Sequence, residues 1–115
     1  MILTVFERAC LLSLLPVEGN FKTLRTIRKM REEISLSEEE IKIYEPRMAE
    51  GRMEWKTIDD DGKPIPQEAD IGIGQIGAEI ITERLRHASD EGHLRMEHFT
   101  LYEKFITEAE NGDTD

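Results

Sequence analysis

A small α+β domain, mostly α, with about five helices and one β-hairpin, is the fold class that this sequence predicts. Three observations carry it. Apolar residues recur three and four apart in several separate stretches, Asn20 and Ser37 stand as caps ahead of two helical segments, and an Asp-Gly pair closes the one stretch that alternates. With 115 residues the chain fits one domain, able to bury a core without disulfide or metal staples. Residues 1–107 are expected to be globular, and residues 108–115 to form an acidic, disordered tail.

Leu3 to Leu15 carries Leu3, Phe6, Cys10 and Leu14 at helical spacing, with Val5, Ala9, Leu12 and Leu15 widening the stripe, which predicts a central buried helix ended by Pro16. Asn20 then caps a second helix, Phe21 to Ile34, whose Phe21, Leu24, Ile27, Met30 and Ile34 should face the first. Ser37 with Glu40 forms a capping-box pattern for a short third helix to Glu45, stopped by Pro46. Met53, Trp55 and Ile58 fall closer to alternation, and Asp59-Asp60-Asp61-Gly62 predicts the turn of a hairpin whose return strand is weakened by Pro64 and Pro66. A fourth helix is expected from Gly74 to Ser89, with Asp70 a candidate cap upstream and Asp90-Glu91-Gly92 the stop. A fifth runs from Met96 to Thr107.

Three motifs come close to a chemistry without reaching it. Gly72-Ile-Gly74-Gln-Ile-Gly77 is a literal GxGxxG, but a dinucleotide site needs a buried parallel strand on each side of the helix, and the flanks supply none. Its small residues are better explained by a helix that starts at close range against a neighbour. Thr57 to Glu68 has part of the calcium-loop spacing, yet Thr57 stands where the first acidic ligand belongs and prolines interrupt the loop, so a solvated turn is expected. His87, His93 and His98 lie near Asp90, Glu91 and Glu97 in sequence, but their spacing matches no zinc signature and surface histidines are the default.

Cys10 is the only cysteine and sits among apolar neighbours, which predicts a buried, inert thiol in a reducing cytoplasm. Ser13 lies on the same helix, away from any nucleophile elbow. The apolar N-terminus is broken by Glu7 and Arg8, too short to span a bilayer and unlike a signal peptide. No catalytic residue, cofactor or metal is therefore expected.

Charge is informative mainly by position. The net charge is -10, from 15 Lys+Arg and 25 Asp+Glu, which argues against capture of nucleic acid or anionic membrane. Yet residues 22–31 hold Lys22, Arg25, Arg28, Lys29 and Arg31 with no acid, while residues 32–45 hold six glutamates against Lys42. The simplest expectation is that a basic helix face lies near an acidic third helix and pairs with it weakly. The order of helix, break, capped helix and hairpin in the first two thirds loosely resembles a winged helix-turn-helix. Acids at Glu38, Glu39 and Glu40 in the would-be recognition helix argue against direct DNA binding.

The segments Leu3-Thr-Val-Phe-Glu-Arg8, Glu18-Gly-Asn-Phe21 and His98-Phe-Thr-Leu-Tyr-Glu-Lys-Phe105 resemble short, uncharacterised proteins encoded by bacteriophages and prophages. The resemblance carries no functional motif and implies only a phage accessory or host-interaction setting.

Taken together, these features predict a cytoplasmic, non-catalytic protein-protein interaction module, with self-association as a further option. The alternative is an acidic inhibitor that imitates nucleic acid toward a DNA- or RNA-binding host protein. Candidate partner-binding residues are Lys22, Arg25 and Lys29 on the basic face, Glu38, Glu39 and Glu40, Trp55 as an aromatic anchor, and Asp59, Asp60 and Asp61 in the acidic turn.

Overall fold

The structure, a computed structural model, describes residues 1–107; the expected tail at 108–115 lies outside the described residues. In chain order the elements are β1 (Ile2–Thr4), α1 (Val5–Leu14), α2 (Phe21–Ile34), α3 (Glu38–Tyr44), β2 (Arg47–Ala49), β3 (Arg52–Glu54), β4 (Glu68–Asp70) and α4 (Gln75–Asp90). A last helical run changes pitch, from a 3-10 turn at Met96–His98 through α5 (Phe99–Tyr102) to a π-helical turn at Glu103–Thr107. This is a mostly α, α+β domain with two small two-stranded sheets.

The chain begins as a strand rather than a helix. β1 pairs antiparallel with β4, Ile2 opposite Asp70 and Thr4 opposite Glu68, and its central Leu3 is fully buried. Leu3 thus joins the core from a strand, while α1 starts two residues later. The start is set by Thr4, whose hydroxyl accepts from the Glu7 amide at 3.0 Å while the Glu7 carboxylate accepts from the Thr4 amide at 2.9 Å. α1 ends at Leu15, which takes the extended backbone that a residue before proline prefers.

α1 is the hub: β1, α2, α4 and the 3-10 turn all pack against it. Leu3, Leu11, Ile34, Ile81, Leu85 and Leu101 are fully enclosed at the centre, drawn from five different elements. Asn20 caps α2 as expected, its side-chain oxygen accepting from the Thr23 amide at 2.9 Å. Ser37 and Glu40 complete their capping box on α3. α4 is capped by Gly74, not Asp70, which instead ends β4 and whose carboxylate accepts from the Met1 amine at 2.8 Å. Gly77 explains the small-residue cluster. A Cβ there would stand 3.0 Å from the sulfur of Met30, so α2 and α4 approach closely at a position that only glycine leaves free.

The hairpin is displaced from its expected register. The regular ladder is β2 with β3, and its tip, Glu50-Gly51, has positive φ at both residues, as a type I′ turn requires. The Asp-Gly turn does form a little further on. Asp59 N–H donates to Lys63 O at 2.8 Å and Ile65 N–H to Thr57 O at 2.8 Å, yet only the single bridge Ile58–Pro64 follows. Pro64 and Pro66 cannot donate, so no ladder grows from that turn.

Candidate functional site

The α2 flank is the most distinctive surface. Phe21, Leu24, Arg25, Arg28 and Arg31 recur at three- and four-residue steps, which places them along one side of the helix, next to the buried line of Ile27, Met30 and Ile34. Burying that line turns the flank outward. Phe21 does not face the first helix as its spacing suggests; it is 80% exposed, as is Val17 in the loop before α2. Between that loop and the helix runs an open groove of about 560 Å³ with Pro16, Val17, Leu24 and Ile27 as its apolar lining and Arg28, Arg31, Glu32 and Ser35 as its polar rim.

The basic residues here are not consumed within the chain. Among the described residues, Lys22, Arg25 and Lys29 make no ion pair, and Arg28 reaches only Glu32, at 4.0 Å between highly exposed side chains. The expected pairing of this basic face with the acidic third helix is absent among the described residues. Glu40 of that helix is held elsewhere.

Its partner is Arg8, a residue whose role the sequence did not suggest. Arg8 is 3% exposed, and its guanidinium holds Glu40 through both ends, Nη1 to Oε2 at 2.6 Å and Nη2 to Oε1 at 3.0 Å. It also donates from Nε to Ile34 O and from Nη2 to Ser35 O, both at 2.8 Å. One cation therefore ties α1 to the carbonyls that end α2 and to the first turn of α3. The Arg8 hydrogen bonds hold the Glu40 carboxyl down at about 2, against the pull of partial burial and with help from the Ser37 amide. Glu40 is thus held in a structural clasp. The buried acid Glu7 accepts from Lys104 Nζ at 2.7 Å. Burial alone would raise its pKa, but the Lys104 and Thr4 hydrogen bonds outweigh that and lower it.

The remaining candidates are dispersed. Glu38 and Glu39 are exposed in the first turn of α3. Trp55 is half-buried and donates from Nε1 to Gln67 Oε1 at 2.7 Å, so it anchors the segment before β4 more than it offers a free surface. Asp59 accepts the Asp61 and Lys63 amides, both at 2.9 Å, and so shapes its turn. Lys56 bridges Asp60 and Glu45 at 2.9 Å each, and its hydrogen bond lowers the Asp60 pKa. Only Asp61 of the three offers its carboxylate with no such engagement among the described residues.

Cys10 is buried, and burial, with the charges of Glu97 and Glu7 adding, pushes its thiol up to about 11. That favours an unreactive thiol at neutral pH. His87 and His93 share a small cleft with Leu14, Arg84 and Glu91, whereas His98 is buried apart and accepts the Arg95 amide at Nδ1. Among the described residues no three His, Cys, Asp or Glu side chains converge closely enough to share an ion, and no helix is long and apolar enough to cross a membrane.

Comparison with protein-family models, with curated proteins and with solved structures finds no significant match. The reading of function therefore rests on the residues themselves.

Proposed function

We propose that this chain is a non-catalytic protein-binding module that docks through the α2 flank, acting in the cytoplasm of a host cell as a phage accessory or host-interaction protein. The observation that carries the reading is a pair of large apolar side chains, each 80% exposed: Val17, which lines an apolar groove rimmed by Arg28, Arg31, Glu32 and Ser35, and Phe21, in the first turn of the helix that walls it. Single exposed apolar residues are ordinary, but an apolar cluster beside a groove is the usual mark of an interaction surface. One wall of the groove is a helix packed into the core, and ordering on that side is already met before a partner arrives, which reduces the cost of binding.

Imitation of nucleic acid draws less support. Of the acids named for it, Glu40 is neutralised by Arg8, Asp60 by Lys56, and the Asp59 carboxylate is turned onto its own loop.

The test is affinity capture from host lysate with three forms of the full chain: wild type, Val17→Ser/Phe21→Ser, and Met48→Ser on the hairpin as a control. All three positions are exposed, so folding should be unchanged by circular dichroism. The reading expects the captured species to vanish with the double variant and persist with the control. Capture that ignores the double variant would overturn it.

A further inference from the structure

We infer that the occupant of the α2 groove is an acidic, amphipathic segment of another protein, an inference that rests on the docking role proposed for that flank. The groove's two halves ask for different chemistry. Its lining of Pro16, Val17, Leu24 and Ile27 can take apolar side chains along an open groove of about 560 Å³. Its rim carries Arg28 and Arg31 together with Glu32 and Ser35, and Arg25, outside the lining, stands three residues before Arg28 on the same side of α2.

Arginine forks match carboxylates in a bidentate way, and here the donors have little to bind within the chain. Arg28 has only the 4.0 Å contact to Glu32, and Arg25 has no ion pair among the described residues. A segment with apolar residues at helical spacing and Asp or Glu beside them would fill the groove and meet the arginines together, which is the helix-in-groove mode of recognition. Nucleic acid would also meet the arginines, but it has no use for the apolar lining.

The full chain is used to select from a library of random dodecapeptides, and the most frequent peptide is then measured by fluorescence anisotropy. Expected are peptides rich in Asp and Glu with at least two large apolar residues, bound about tenfold more weakly at high salt. Arg25→Glu/Arg28→Glu should abolish that binding, and the milder Arg28→Gln should weaken it measurably. All these positions are exposed, so loss of folding does not confound the result. Neutral or basic peptides that still depend on Val17 and Phe21 would overturn the acidic occupant while leaving the docking role intact. Peptides indifferent to Val17→Ser/Phe21→Ser would overturn the docking role itself. Tighter binding to duplex DNA or to phosphatidylserine vesicles, or groove-dependent self-association in sedimentation, would replace the occupant with nucleic acid, a lipid surface or a second copy.

Discussion

The helical body built from β1, α1, α2, α4 and the C-terminal helical run is held by buried hydrocarbon, whereas the stretch from α3 through the β2–β3 hairpin to Gln67 is held by polar threads. In the body, leucines and isoleucines from five elements close over one another. Between Glu38 and Gln67 the one buried hydrophobic residue is Tyr44, while Met48 and Ile58 are 71% and 55% exposed. That stretch is tied down by Tyr44 Oη donating to Pro66 O at 2.6 Å, Lys56 N–H to Tyr44 O at 2.7 Å and Trp55 Nε1 to Gln67 at 2.7 Å. Burial of apolar surface stabilises roughly in proportion to area, and each exposed or half-buried hydrogen bond contributes only about 1 kcal/mol net. The arm should therefore open at a lower free energy than the body. The α2 groove lies on the firmer of the two.

The largest effect should come from the body. Leu11→Ala removes a fully buried side chain at the hub and should cost about 3 to 5 kcal/mol, read as a shift of the urea midpoint that all probes share. Met48→Ala in the arm should stay within about 0.5 kcal/mol; equal effects at the two sites would erase the contrast.

Arg8→Met cuts the clasp between body and arm. Because Glu40 keeps about a quarter of its surface in water, with 23% side-chain exposure, the cost should fall to about 2 to 3 kcal/mol, below that of a fully buried pair. The clasp also gives a pH signature. A carboxyl whose folded pKa is about 2 and whose ordinary value is 4.5 contributes stability that is fully present above pH 4.5 and is lost as pH falls toward 2. Acid titration of the wild type should show that loss, with Glu7 adding to it in the same direction. In Arg8→Met the Glu40 share should vanish, and an unchanged acid profile would show that the clasp does not govern it.

Tyr44→Phe should sharpen the contrast from the arm's side. Loss of the hydroxyl leaves Pro66 O unpaired and should cost about 1 kcal/mol, with faster hydrogen exchange at Lys56 and Ile65 and unchanged exchange at Leu85. The smallest effect is a gain. Glu50 sits at φ 52° beside Gly51, and Glu50→Asn should relieve that backbone by about 0.5 kcal/mol without touching the body, measured as a small rise in thermal midpoint.

The body was far more legible in the sequence than the arm. Helix periodicity and the caps Asn20 and Ser37 report local energetics, and the structure keeps them. β1 and β4 are three residues each, below the length at which alternation can be recognised, and their pairing joins distant parts of the chain. The Thr4-x-x-Glu7 capping box was present in the sequence and could have moved the start of α1 to Val5. The hairpin slipped because Glu50-Gly51 is a weaker turn signal than Asp61-Gly62, while the prolines beyond the latter decided against a ladder. At the site, the basic residues of α2 were visible as a charge run. The exposure of Phe21 was not, because periodicity assigns it to the apolar stripe without showing which residues of that stripe are covered. Arg8 gave no local signal at all, since its partners are carbonyls and a carboxylate on other helices.

The ribbon of β1 and β4 has a consequence for the order of assembly. Neither strand has a partner until the chain between them, from α1 through the hairpin to Gln67, has doubled back, so this contact should close late, with that whole stretch as its loop. Closure entropy grows only logarithmically with loop length. Extra residues spliced between Glu50 and Gly51, at an exposed tip that the core never touches, should therefore slow maturation little and leave the rest of the molecule free to form as before.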